Sequence, residues 1–158
     1  MHADKIHFLE DVLSETFERM RGERSVLEEE RSDGKGLTLR SVDISGDLSL
    51  VNLKNYHEIE KLAPFGVGNP KPVFLFQNVK IENIKKFGKN GSGEHLEIIF
   101  SDSRNHKAKA ISFFSGHDSF DIPLVEGISV NLLATFDLSR FRGREELRLR
   151  IEEISSTI

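Results

Sequence analysis

Two short stretches concentrate the residue types that can do chemistry. "SRFRGRE", residues 139–145, sets Arg140, Phe141, Arg142 and Arg144 around Gly143. "VKIENIKKFGKN", residues 79–90, carries four lysines against one glutamate, with Phe87 among Lys85, Lys86 and Lys89. Ammonium and guanidinium groups hold phosphates, and a phenyl ring between them offers a face on which a base can stack. Both clusters therefore suit an unpaired polynucleotide, bound with little regard to its sequence. The plain alternative for each is a solvated turn, and Phe141 can equally fold inward to cap a core.

Groups suited to catalysis are poorly placed. Six histidines, His2, His7, His57, His95, His106 and His117, are scattered without metal-ligand spacing. Asp43 and Asp47 come nearest to a carboxylate cluster and read as turn formers at strand ends, so no metal site is assigned. "GVGNPK" and "GKNGSG" are glycine-rich but lack the Lys-Ser/Thr of a phosphate loop. Without cysteine there is neither a disulfide framework nor a thiolate metal site. No self-sufficient active site, and hence no catalytic residue, emerges.

The 158 residues, 37% hydrophobic and 30% charged, describe a soluble globular chain of one domain, or a compact domain with an extension. The net charge of −4 excludes nothing, because it is unevenly spread. Residues 1–51 hold 7 basic and 12 acidic side chains, whereas the remainder holds 15 and 14. No run approaches the roughly 18 apolar residues of a membrane span. "MHADKIHFLED" lacks the basic region and apolar core of a secretory signal. A cytoplasmic protein without a membrane partner is expected, and Asn90-Gly91 then reads as a hairpin turn and not as part of a glycosylation site.

The elements that must position the two basic clusters follow from periodicity. Ile6, Leu9, Leu13, Phe17 and Met20 recur at three and four, predicting an amphipathic helix over residues 4–24, followed by a charged linker. "LTLRSVDISGDLSL" suggests one or two short strands. Leu53, Tyr56, Ile59 and Leu62 make a short helical stripe that Pro64 should end near Leu62. From Pro72 onward, five β-branched and aromatic runs recur about every ten residues: "VFLFQNVKIENIKKF", "EHLEIIFSD", "AKAISFFS", "ISVNLLATFD" and "EELRLRIEEI". A small barrel or a sandwich fits them, with a long, bent first strand if the barrel closes. In the last run Leu147, Leu149 and Ile151 face one way, Arg148 and Arg150 the other. "DSFDIPLVEG" is read as holding a helical turn. The basic clusters fall on the loops joining strands one to two and four to five, which flank the binding face in one type of five-stranded barrel.

"LAPFGVGNPKPVF", residues 62–74, closely resembles the L-x-P-F-G-x-G-N-P-x-P-x-F signature of the bacterial RecJ family, single-strand-specific 5′→3′ DNA exonucleases. "EHLEIIF", "AISFF", "FDLSRFRGREELRLRIEEI" and "LRSVDISGDLSL" resemble further segments of that family, in the same order, over about residues 37–155. The resemblance implies an α+β, mainly β chain. Residues 37–158 would form an OB-fold DNA-binding domain with its lead-in strand and a short helix docked on the barrel. Residues 1–36, an amphipathic helix and linker, would be the tail of a preceding DHHA1-like domain. It further implies that catalysis belongs to an upstream DHH domain, whose aspartates and histidines bind Mn²⁺ or Mg²⁺ to activate water in DNA repair and recombination. None of those motifs is present, and His2, followed by Ala3 and Asp4, does not match the family's G-G-H element. This chain is expected to be a catalytically silent fragment with no cofactor of its own.

The expected partner is single-stranded DNA, held by Arg140, Phe141, Arg142, Arg144, Lys85, Lys86, Phe87, Lys89 and Lys71. In the alternative reading the same arginines receive the acidic tail of a single-strand-binding protein. Glu97 stands where the family often has lysine, and Glu28–Glu30 is an acidic run, so modest affinity is expected. The signature is read as a stiff elbow made by Pro64, Phe65, Gly66, Gly68, Asn69, Pro70 and Pro72. Prolines restrict φ, glycines permit unusual angles, Asn69 bonds local backbone and Phe65 anchors in the core.

Overall fold

The computed structural model describes residues 42–89, 94–113 and 119–157. The helix expected over 4–24, the linker after it and the Asn90-Gly91 turn lie outside the described residues. Each of the five expected runs contains a strand. The order is β1 (Ile44–Gly46), a 3-10 turn (Leu48–Leu50), α1 (Leu53–Glu60), β2 (Phe74–Phe87), β3 (His95–Ser101), β4 (Lys107–Ser112), β5 (Ser129–Phe141) and β6 (Arg144–Ser156). In "DSFDIPLVEG", Ser119 lies in a 3-10 turn and residues 120–127 run as bends, irregular backbone and a turn, with Leu124 buried. No described helix is long and apolar enough to cross a membrane.

Strands β2-β3-β4-β6-β5 pair in that order, and a further β2–β5 pairing closes them into a barrel. The β4–β6 pair is parallel and the other barrel pairs are antiparallel; β1 adds in parallel on β2. This is the five-stranded OB-fold barrel, and closure decides against the sandwich.

Closure depends on β2 bending to serve two partners. Phe74–Lys80 pairs with β5 and Lys80–Phe87 with β3, so Lys80 faces both Ser129 and Ser101 at the corner. Register shifts at Phe76/Val79 and Ile81/Asn83 supply the bend, as β-bulges do. Asn78 takes φ 54°, a left-handed value asparagine tolerates, and its N–H donates to Asn131 Oδ1 at 3.0 Å. Inside, Phe74 stacks on Phe136 with centroids 4.4 Å apart, amid buried Phe76, Phe100, Ile98 and Leu149.

Helix α1 is capped by Asn52, whose side chain accepts from the Asn55 N–H at 2.9 Å. Ile59 is buried and Tyr56 packs against the core, while Leu53 on the same stripe stays exposed. The helix stops at Glu60, two residues before Leu62. Beyond it, Asn69 Nδ2 donates to the carbonyls of Leu62 at 2.8 Å and Pro64 at 3.0 Å, and Gly66 and Asn69 exchange backbone hydrogen bonds. Phe65 packs against the core and Pro72 is buried. Gly66 and Gly68 correct the sequence reading in one respect. Neither has positive φ, and a Cβ at either would meet nothing within 4 Å.

Candidate nucleic-acid interface

Alternation along the strands sorts side chains into the barrel and out of it. On β3 and β4, Ile98 and Ala110 pair and are buried, so His95, Glu97, Lys109 and the residue after β4, Phe113, fall on the outer side. On β6, Leu149 is core, which leaves Arg148 and Arg150 outside, as their spacing predicts. On β2, Phe87 opposes His95 and Lys85 opposes Glu97.

These positions form a continuous aromatic and cationic stripe. Phe87 lies 5.2 Å from His95, and His95 meets Phe113 edge-on at 5.4 Å. The guanidinium groups of Arg148 and Arg150 lie 5.6 Å and 5.4 Å from the centroid of the same Phe113 ring. Each such contact contributes about 0.5–1 kcal/mol at an exposed site, enough to orient the side chains. The stripe crosses four strands, from the end of β2 to β6.

The β5–β6 hairpin closes through Arg142 (φ 50°) and Gly143 (φ 74°), with Phe141 opposite Arg144. Both turn residues sit at positive φ, the arrangement of a tight two-residue hairpin. Arg142 lies 5.2 Å from the centroid of the Phe141 ring, and that ring is 67% exposed, so it does not cap the core. Register puts Phe141 and Arg144 on the same outer side as Arg148 and Arg150. The six residue steps from Arg144 to Arg150 span about 20 Å along β6. The face thus has an aromatic end by the β2–β3 loop and a guanidinium-rich end at the hairpin.

Between the two ends lie carboxylates. Lys109 donates to Glu146 at 2.5 Å with Glu97 at 3.8 Å, and Arg148 donates to Asp137 at 2.6 Å. The hydrogen bond to Glu146 holds the Lys109 pKa above the ordinary lysine value, against burial, with Glu97 adding to it. Arg142, Arg144, Arg150, Lys85, Lys86 and Lys89 have no carboxylate partner among the described residues.

Some of the residues named from sequence part company here. Arg140 alternates away from Phe141 and ion-pairs with Glu145 at 2.9 Å, on the side that carries Phe136 and Leu149. Its charge is felt at Tyr56 of α1. Lys86 opposes core-facing Leu96, so it leaves the Lys85–Phe87 side. Lys89 is exposed beyond β2, and Lys71 lies before β2, at that strand's opposite end. Residues the sequence reading did not select are His95, Phe113, Lys109, Arg148 and Arg150. The outward alternation of Arg148 and Arg150 was the available signal. Phe113, in "AISFF", carries no such signal, and His95 is one of six scattered histidines.

One acidic cluster lies elsewhere. Asp47, Asp102 and His106 bring ligand-type atoms within 4.8 Å of one another. Their oxygens are already engaged: Asp102 accepts from the N–H groups of Leu48, Arg104 and His106 and from His106 Nδ1, and Asp47 accepts from the Ser49 N–H and hydroxyl. Through these bonds the cluster clasps the 3-10 turn to the β3–β4 hairpin.

Comparison with known proteins agrees with this fold. Residues 42–153 match the model of the RecJ OB domain. The single-stranded-DNA-specific exonuclease RecJ of Bacillus subtilis (strain 168) is 21% identical over 117 residues, which are 74% of this chain and 14% of that protein. The chain therefore spans about one seventh of this relative. The crystal structure of RecJ from Thermus thermophilus in complex with Mg²⁺ superposes with a TM-score of 0.53 at 17% identity, covering 75% of this chain and 17% of that one. The Mn²⁺ complex of RecJ from the same organism gives 0.51 at 19%, covering 72% and 15%. The match includes all of the barrel except the last three residues of β6, and the chain belongs to the RecJ OB domain family.

Proposed function

We propose that this barrel is the single-stranded-DNA-binding module of a RecJ-like 5′→3′ exonuclease of DNA repair and recombination. In this reading it guides a strand toward an active site in an upstream DHH domain, where Mg²⁺ or Mn²⁺ supplies the hydrolytic chemistry. The observation that carries it is the stripe from Phe87 through His95 and Phe113 to Arg148 and Arg150. Rings at this spacing accept the π-faces of bases, and the adjoining guanidinium and ammonium groups neutralise phosphates. The stripe lies on the barrel face that OB-folds use for oligonucleotides, between the β2–β3 and β5–β6 loops. Residues 1–36 are assigned to the tail of the preceding domain.

Anisotropy titration of a fluorescent oligo-dT with the 158-residue chain tests this. Binding should weaken more than about ten-fold in the Phe113→Ala, Arg150→Ala double variant. Equal binding by wild type and variant refutes the assignment of this face. A parallel titration with an acidic tail peptide tests the rival protein-docking reading, which requires the peptide to bind and the oligonucleotide not to.

A further inference from the structure

The midsection of the proposed face places carboxylates where a polyanion needs cations. Lys109, on β4, lies between Glu97 of β3 and Glu146 of β6, at 3.8 Å and 2.5 Å. One cation thus stands between two carboxylates, and the neighbouring Arg148 is neutralised by Asp137. A strand laid from Phe113 toward Phe141 must pass these two carboxylates, with Lys85 opposite Glu97 balancing one of them. Glu146 is half exposed, and exposed ion pairs of this kind add little to fold stability. The fold therefore does not explain why two carboxylates converge on one lysine.

We propose that Glu146 is an internal occupant of the phosphate site at Lys109, one that a nucleic-acid phosphate must displace, and that it thereby holds the affinity of the face down. The inference rests on the reading of this face as a single-strand-binding surface. Glu97 stays in place in either state and keeps Lys109 from being fully available. The two ends of the face, with Phe113 and Arg150 at one and Phe141, Arg142 and Arg144 at the other, then provide most of the grip. The midsection sets how readily the strand leaves. A module that feeds a processing enzyme needs such release, because a strand held uniformly along the face would not advance.

The test compares Glu146→Gln with wild type in oligo-dT anisotropy titrations over a range of salt. Glu146→Gln should bind about two- to five-fold more tightly at low salt, the range set by the strength of an exposed ion pair. Its log–log salt slope should stay close to that of wild type, because Lys109 meets a phosphate in both and only the displacement of Glu146 is removed. Adding Lys109→Met to Glu146→Gln should abolish the gain. Glu153→Gln makes the same change in net charge near the far end of β6, opposite Leu133, and should give no gain. Glu146→Gln binding no tighter than wild type overturns the proposal, as does a gain that survives Lys109→Met or recurs in Glu153→Gln. If Phe113→Ala with Arg150→Ala leaves binding unchanged, the underlying reading of the face falls. If that pair weakens binding while Glu146→Gln fails to tighten it, only the role of Glu146 falls.

Discussion

Arg150 places its guanidinium 5.4 Å from the centroid of the Phe113 ring, and among the described residues it has no carboxylate partner. Arg148 reaches the same ring at 5.6 Å but is held by Asp137 at 2.6 Å. Two arginines on one ring therefore differ in availability. Arg150 can take a phosphate without breaking an ion pair, whereas Arg148 serves mainly to fix the ring and its surroundings.

Stacking and charge separate in single variants. Phe113→Ala should cost about ten-fold in oligo-dT affinity, within the range of one stacked base, and leave the salt slope unchanged. Arg150→Ala should weaken binding and flatten the slope by about 0.7. Titrations at several salt concentrations check both. A flattened slope in Phe113→Ala would show that the ring acts through the arginines and not on bases.

The hairpin arginines should divide by face. Arg142→Ala with Arg144→Ala should weaken binding several-fold and flatten its salt dependence, because neither cation has a carboxylate partner among the described residues. Arg140→Ala should do much less, since Arg140 turns to the other side and pairs with Glu145. Anisotropy titration of the two variants ranks them, and an equal loss would contradict the register-based assignment.

The signature loop should depend on Asn69 and tolerate change at its glycines. Asn69→Ala removes two hydrogen bonds, to the Leu62 and Pro64 carbonyls, and should cost about 1–2 kcal/mol of stability with little change in DNA affinity. Gly66→Ala and Gly68→Ala meet open space at non-positive φ and should stay within about 0.5 kcal/mol of wild type. Gly143→Ala, at φ 74°, should destabilise more than either. Urea unfolding curves measure all four variants.

Asp102 makes part of the stability depend on pH. Burial pushes its pKa up, but the His106 side chain, the His106 and Arg104 N–H groups and the His106 charge outweigh this and leave it below the ordinary aspartate value. A carboxyl whose pKa is depressed on folding contributes stability that is present above its unfolded value, near about 4, and lost as pH falls through the folded one. The chain should therefore lose stability below about pH 4. Asp102→Asn should be destabilised by about 1–3 kcal/mol at neutral pH and show a weaker decline in acid. Thermal melts from neutral pH into acid measure both curves.

The elements were legible because their signals are local. Leu147, Leu149 and Ile151 alternate with Arg148 and Arg150, and that period specifies a strand with one buried face wherever its partners lie. The helix at Leu53–Glu60 and the loop from Leu62 to Phe74 were legible for the same reason, through a helical stripe and a run of prolines. Gly66 and Gly68 were misread because glycine permits unusual backbone angles without requiring them.

By its own pattern the sequence determined five strands, a short helix and two basic hairpins. Tertiary structure alone decided that β2 joins β3 to β5 and so closes a barrel. It also decided that His95, Phe113, Arg148 and Arg150, from three separate strand regions, meet on one outer face while Arg140 and Lys86 turn away. The reason is physical: alternation tells which side of a strand a residue takes, but only register and closure decide which strands lie beside it.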